Sequence, residues 1–380
     1  MKILHVADTH LGYSAYRKVT SDGVNQREQD TYDSFKQFID YALSSPPDLI
    51  IHAGDLFDSV RPNNRAITLA VQQILRLSKK NIPFVIIAGN HEHPKLRETG
   101  HIFSVFDHLD NVYPIYHDRY EKMDLTIKEK KVRLHLIPQC NSKEVFEEEI
   151  HKLKPDNSKD LNILMAHGAV KGIKAFSMNE LNELMIPADY LSKDFDYIAL
   201  GHYHTYTQLN NNSFYAGSTE RFSFTEANED KGFIEITVDE ENKIDTNFVQ
   251  LDTREMLDLP SIDCSDLKLE EVSKKISKQI EAAQPEDKIF RITLQNIPVH
   301  IYRGLDLSEI KKDAKQAVHH EIKADIIRDD GSKRHTDSAK IDLLSREFQR
   351  FIKNKEIKNK ENLLKIGLKY IEKIEEKKQK

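Results

Sequence analysis

The stretch Leu49-Ile50-Ile51-His52-Ala53-Gly54-Asp55 decides the fold of this chain. Its apolar run is too short for a buried helix and reads as a strand. The glycine frees the backbone to turn, so Asp55 stands at the strand's mouth. Four other stretches follow the same pattern. Ile3 to Ala7 leads into Asp8-x-His10, and Phe84 to Ala88 into Gly89-Asn90-His91-Glu92. Asn162 to Ala166 leads into His167, and Tyr197 to Leu200 into Gly201-His202-x-His204. Open α/β folds place ligand sites outside the carboxyl ends of their strands. Five such ends on one side of a sheet therefore predict one shared site, with Asp55 able to bridge two metal ions.

Composition sets the frame for that site. A chain of 380 residues, 39% hydrophobic and 31% charged, has room for two or three charge-rich globular domains. No apolar run reaches membrane-spanning length, and the chain enters a strand at once without a signal-peptide core. Two cysteines, Cys140 and Cys264, offer no disulfide framework, which fits a reducing, cytoplasmic setting. The formal charge of −6 gives no bulk attraction for nucleic acid. Residues 350–380 stand apart, with 11 Lys/Arg against 5 Glu, or +6.

Along the chain, Tyr13 to Gln29 reads as a loop and Asp30 to Leu43 as an amphipathic helix ended by Pro46-Pro47. Asn63 or Asn64 caps a helix running to Lys79, with Ile67, Val71, Ile74 and Leu75 on one stripe. This alternation of strands and helices predicts an α/β layered core. A further helix is expected from Gly100 to Leu109. Its face of Ile102, Val105, Phe106 and Leu109 either packs on the sheet or pairs with a second subunit. Residues 112–117 and 132–138 read as strands, and Ser142 to Lys159 as a surface helix and loop. The first domain is drawn at 1–250. A small α+β domain follows at 251–328, with helical texture at Leu269–Ala283 and Leu307–His319 and alternation around Phe290 to Leu294 and Ile322 to Ile327. Residues 329–338 read as a polar linker. Two amphipathic helices occupy 339–380, with stripes Ile341, Leu344, Phe348, Phe351, Ile352 and Leu364, Leu368, Ile371.

Asp, His and Asn donors without a thiolate suit Mn²⁺, Fe²⁺ or Zn²⁺. An aspartate shared by two ions holds them about 3.5–4 Å apart, the spacing of two-metal phosphoryl-transfer sites. His91, next to Asn90, is placed to protonate a leaving oxygen, a role worth about 10²–10⁴-fold. Glu92 is a candidate to orient it. Singly, Asp-x-His, Gly-Asp and a lone His167 are weak signals; together and in order, at five strand ends, they specify the chemistry.

These five motifs resemble the signature of calcineurin-like metallophosphoesterases. His10-Leu11-Gly12-Tyr13, Gly54-Asp55-Leu56-Phe57 and Gly217-Ser218-Thr219-Glu220-Arg221 are similar to the Mre-eleven/SbcD nuclease family in its archaeal form. The resemblance implies a core of two packed mixed sheets flanked by helices, and two Mn²⁺ ions per chain. It implies Asp8, His10, Asp55 and His204 as ligands of one ion and Asp55, Asn90, His167 and His202 as ligands of the other, with His91 catalytic. It further implies a homodimer that binds DNA, DNA-capping by residues 251–328, and docking of the C-terminal helices on an SMC-like ATPase of the Rad-fifty/SbcC type. The activity implied is single-strand endonuclease and three-prime-to-five-prime exonuclease cleavage in double-strand-break repair, in the cytoplasm and at the nucleoid when bound to DNA. Some members carry a second histidine three residues after the bridging aspartate; here that position is Asp58, and either the helper role is absent or another histidine, His52 or His93, supplies it. Two other functions compete: a phosphatase or phosphodiesterase on a non-DNA substrate, and a DNA-tethering scaffold.

Overall fold

Strands β1 (Lys2–Val6), β2 (Leu49–His52) and β3 (Phe84–Ile87) lie parallel, and their register explains why one end of the sheet collects the motifs. Val6 stands opposite His52, and His52 opposite Ile86. The segments that follow therefore leave the sheet at the same level. In this computed structural model the described residues are 1–94, 99–171, 184–192, 194–327, 333–336, 352, 360 and 363–368.

Between the first strands run α1 (Gln26–Ser44) and α2 (Asn64–Ser78). The Asn25 side chain caps α1 by accepting from the Arg27 and Glu28 N–H groups, so this helix begins four residues before its expected start. Asn63 caps α2 in the same way through Ala66. β4 (Val112–Ile115) completes one side of the sheet, followed in the chain by β5 (Glu121–Ile127), β6 (Lys130–Ile137), α3 (Lys143–Ile150) and β7 (Leu161–His167). The short pair β8 (Ala169–Val170) and β9 (Met185–Ile186) precedes β10 (Tyr197–Gly201), β11 (Thr207–Gln208) and β12 (Ser213–Tyr215). β13 (Gly232–Val238) and β14 (Ile244–Gln250) then return to the first sheet.

The result is two six-stranded mixed sheets, ordered β14-β13-β1-β2-β3-β4 and β11-β12-β10-β7-β6-β5. Strand periodicity sorts their side chains. Ile3, Leu49, Ile51, Val85 and Ile87 face Val132, Leu134, Ile163, Met165, Tyr197 and Ala199 between the sheets. Leu4, Val6, Ile50, Phe84 and Ile86 face the other way, onto Phe35, Phe38 and Ile39 of α1 and Ala70, Ile74 and Leu77 of α2. On the second sheet's outer face, Leu164, Ile198, Leu200 and Tyr215 pack with Phe146 and Ile150 of α3.

Three sequence expectations change here. The five motif-bearing strands belong to two sheets, β1, β2 and β3 to one and β7 and β10 to the other, not to a single sheet. The helix expected from Gly100 to Leu109 is one 3₁₀ turn, Ile102–Phe106. A three-residue period puts Phe103 and Phe106 on one side, and both are fully buried, Phe106 stacked against Phe57. Phe106 is therefore a core residue, while Val105 is 39% exposed. Lys333–Thr336, expected within the linker, form a strand paired antiparallel with Ala324–Ile327.

By contacts the chain divides into two units, the first comprising Met1–Asp258, Gln284–Phe290 and Gln316–His319. Its reach past residue 250 has a packing cause: Met256 of β15 (Met256–Asp258) is buried with Ala227, Ile289 and Val318. The second unit contains β16 (Ile262–Asp263), α4 (Leu269–Ala283), most of β17 (Ile289–Pro298), α5 (Val299–Gly304), α6 (Leu307–Asp313), nearly all of β18 (His319–Ile327) and β19 (Lys333–Thr336). α4 buries Val272, Ile276, Ile280 and Ala283 at helical spacing. The two amphipathic helices expected at 339–380 lie outside the described residues except at 352, 360 and 363–368. There Ile352 is buried, residues 363–368 are helical, and Leu363 and Ile366 are exposed.

Candidate metal centre

Three of the five strand ends, those of β1, β2 and β10, deliver their polar residues through a backbone that the strand alone would not adopt. Asp8, His10, Asp55 and His202 have positive φ, at 51°, 44°, 55° and 106°. Non-glycine residues in such conformations cost about 1–3 kcal/mol each and cluster at functional sites. The Asp8 N–H donates to Gly54 O and the His10 N–H to Asp55 O, so the turns after β1 and β2 hold one another. Gly54 and Gly89 permit the close approach. A Cβ on Gly54 would lie 2.8 Å from His167 Cγ, and one on Gly89 would lie 2.5 Å from the Asp55 nitrogen. At this end of the molecule the two sheets nearly touch through their functional residues.

The seven expected ligands do converge. Asp8 accepts from the His202 N–H with both oxygens at 3.0 Å. Asp55 Oδ1 accepts from the His91 N–H at 2.9 Å, while Oδ2 stands 3.2 Å from His167 Nε2 and 3.8 Å from His10 Nε2. Asn90 Oδ1 lies between His167 Nε2 at 3.0 Å and His202 Nδ1 at 3.2 Å. His10 Nε2 and His204 Nε2 are 3.2 Å apart. Donor atoms of Asp8, His10 and His204 form one cluster, and those of Asp8, Asp55 and His167 another, each within 4.8 Å.

The electrostatics suit divalent cations. Burial pushes the Asp8 carboxyl up to about 7, with the Asp55 charge adding to the shift. Burial also acts on Asp55, but His167 overcomes it and holds that carboxyl well below its usual range. His167, despite burial, is raised to about 10 by Asp55. A proton on His167 thus supplies the positive charge that two buried carboxylates require, and metal binding displaces such protons. The His167 Nδ1–H donates to Ala53 O, which leaves Nε2 as the ligand atom once that proton goes. Burial lowers His10 to about 4 and His202 to about 3, so both are neutral imidazoles, the ligand form, at neutral pH.

Around these donors, the roles of several neighbours differ from expectation. Glu92 does not orient His91; its Oε1 accepts from the Asp55 and Gly89 N–H groups at 3.1 and 2.9 Å, pinning the two turns together. Burial raises its carboxyl to about 8. His91 Nδ1 donates to Asp58 O at 3.0 Å. Burial opposes protonation of His91, but Asp55 and Asp58 raise its pKa overall. His52 is fully buried beside Thr9, and His93 Nε2 meets Asn141 and Asp118. Asp58 itself sits 3.4 Å from His10 Nδ1 and 3.9 Å from His91 Nδ1.

Sequence reasoning missed a second carboxylate. Glu226 lies 3.4 Å from His204 Nδ1 and 2.6 Å from the buried Lys231 ammonium. No motif marks either residue; only the fold brings them to the site. The half-exposed Phe222 ring packs on His10 and His204 at 4.8 and 5.1 Å. Arg65 pairs with Glu28, and Arg221 donates to Thr253, Arg254 O and Glu229 O. Glu220 of the Gly217–Arg221 stretch is tied to Arg27, a buried structural pair.

The family model described as calcineurin-like phosphoesterase matches residues 1–206, a span containing all seven donors and His91. Curated relatives that the chain resembles carry the name DNA double-strand break repair protein Mre11. That of Sulfurisphaera tokodaii is 35% identical over 54% of this chain and 49% of its own length. That of Saccharolobus solfataricus is 35% identical over 55% and 51%, and that of Thermoplasma acidophilum 34% identical over 59% and 58%. The chain thus spans about half the length of the curated relatives it matches. A purple acid phosphatase from yellow lupin seeds superposes with a TM-score of 0.38 at 15% identity over 62% of this chain and 48% of its own, too slight a likeness to carry an argument.

Proposed function

The chain belongs to the calcineurin-like phosphoesterase family, and from that premise we propose that it is a metal-dependent phosphodiesterase that cleaves DNA in double-strand-break repair. The observation that carries the reading is the meeting at Asp55. Its Oδ2 lies within 3.8 Å of His10 on one side and 3.2 Å of His167 on the other. Asp8, His10, Asp55 and His204 would hold one ion, and Asp55, Asn90, His167 and His202 the second. When bound, two such ions supply Lewis-acid stabilisation of a phosphoryl group undergoing in-line displacement.

The chain's own groups supply the rest. His91, tethered by Asp58 O and with its pKa raised, donates a proton to the leaving oxygen. Glu92 keeps Asp55 and Gly89 in register, so that His91 and Asn90 start from fixed backbone. The substrate assignment rests on the three relatives named for DNA break repair. In the same reading the ions are Mn²⁺, the activities are single-strand endonuclease and three-prime-to-five-prime exonuclease, and the enzyme works as a homodimer. Residues 251–328 cap the DNA, the helices after residue 338 dock on an SMC-like ATPase, and the enzyme works inside the cell.

A direct test compares circular single-stranded DNA with nitrophenyl phosphates as substrates in Mn²⁺, using wild type and Asp55→Ala. Cleavage of the DNA by wild type alone supports the nuclease reading. Turnover confined to the small phosphates refutes it in favour of a phosphatase, and DNA cleavage by Asp55→Ala refutes the metal-centre assignment.

A further inference from the structure

We infer that Glu226, anchored by Lys231, is a positioning residue for His204. The inference rests on His204 being a metal ligand and goes beyond it by naming what fixes its ring. A carboxylate oxygen accepts, so the contact of His204 Nδ1 with Glu226 Oε1 at 3.4 Å makes Nδ1 the donor. That leaves the lone pair on Nε2, the atom 3.2 Å from His10 Nε2. Carboxylates behind metal-binding histidines fix tautomer and ring orientation in this way.

Lys231 secures both ends of the arrangement. Its ammonium donates to Glu226 Oε2 at 2.6 Å, to Glu229 Oε2 at 3.0 Å and to the His204 carbonyl at 2.8 Å. One side chain thus grips the main chain of His204 and the carboxylate that holds its ring. Lys231 is 1% exposed and Glu226 6%. Burying both charges is costly without a specific reason. A simpler role for Glu226 exists, since Ser223 Oγ donates to Oε1 at 3.1 Å and Phe222 N–H to Oε2 at 3.3 Å around the 3₁₀ turn Phe224–Glu226. That turn needs neither a buried lysine nor a histidine against the carboxylate.

The experiment uses the full-length Glu226→Gln, Ser223→Ala and His204→Asn variants. Mn²⁺ binding is read by calorimetry, the His204 tautomer by ¹⁵N shifts of the metal-free protein, and melting temperature in EDTA. For Glu226→Gln the expected result is a folded protein with a lowered melting temperature, because the buried Lys231 ammonium loses one of its two carboxylate partners. One of the two ions binds about 10–100-fold more weakly, and the His204 signal shifts away from the Nδ1–H form. Ser223→Ala keeps the carboxylate and binds both ions normally; if Glu226→Gln fails to fold, the His204 tautomer of metal-free wild type decides, and any form but Nδ1–H overturns the inference. Unchanged affinity and tautomer in Glu226→Gln overturn the inference. So does a tenfold loss in Ser223→Ala, which assigns the effect to the turn. His204→Asn separates the two levels: if it binds two ions as wild type does, the ligand reading of His204 falls. If it loses one ion while Glu226→Gln loses none, only the positioning role falls.

Discussion

Gly89→Ala is the smallest change expected to disable the site. The added Cβ would stand 2.5 Å from the Asp55 backbone nitrogen, whereas ordinary contact begins at 3.4 Å. A gap of about 0.9 Å must open, and backbone cannot swing aside as a side chain can. Glu92 Oε1 bonds both the Gly89 and Asp55 N–H groups, so movement of either turn strains the same carboxylate. Overpacking of this kind costs typically about 1–3 kcal/mol, a tolerable loss for the fold. For the chemistry it is severe, because a misplacement of about 1 Å can cost on the order of 10²-fold in rate. We therefore expect a folded protein with a melting temperature lowered by several degrees, weakened binding of both Mn²⁺ ions and at least about 10²-fold slower turnover of a phosphodiester substrate. Calorimetric Mn²⁺ titration and steady-state kinetics measure this. Two ions bound at wild-type affinity with turnover within threefold would refute the claim that Gly89 is required by the approach of Asp55.

His91→Ser should keep both ions, since its ring is not among the seven donors, yet lose about 10²-fold or more in kcat; an unchanged kcat demotes it. Val105→Asp tests the exposed side of the Ile102–Phe106 turn as a dimer contact: light scattering should show a folded monomer, and an unchanged dimer rejects that contact. Phe106→Asp should instead unfold the domain, because the ring is buried against Phe57, and a folded Phe106→Asp protein contradicts its core assignment. The Glu226 carboxyl is pushed up by burial but drawn down further by His204 and Lys231, to about 2 from 4.5. A depressed folded pKa means its stabilisation is present above about pH 4.5 and fades as pH falls towards about 2. Lys231→Met leaves that carboxylate buried without its cation, a loss of roughly 3–5 kcal/mol, and the acid-unfolding midpoint of the metal-free protein should rise; circular dichroism finding the same midpoint rejects the pair's role in stability.

Local chemistry made much of this protein legible in its sequence. An apolar run of strand length followed by glycine and a polar donor needs no distant partner to be recognised, because strand period and turn conformation are properties of a few neighbouring residues. The strands carrying Asp8, Asp55, Asn90, His167 and His202 could therefore be read in order, and so could the helix at Leu269–Ala283 and a cap at Asn63 or Asn64, which the structure places at Asn63. Pairing is non-local, and there the sequence fell short. Nothing in the runs themselves says that β7 and β10 belong to a different sheet from β1, β2 and β3. A 3.6-residue reading of Gly100–Leu109 left Phe106 open between packing on the sheet and a subunit interface; the segment winds with a three-residue period and buries it. Glu92 follows His91 in sequence, yet its carboxylate turns back to the Asp55 and Gly89 amides. Glu226 lies 22 residues from His204 in the chain and reaches its ring only after β12 and the turn at Phe224–Glu226 have folded against the site. The sequence determined which side chains stand at the strand ends; which groups hold them there was decided by the packing of segments far apart in the chain.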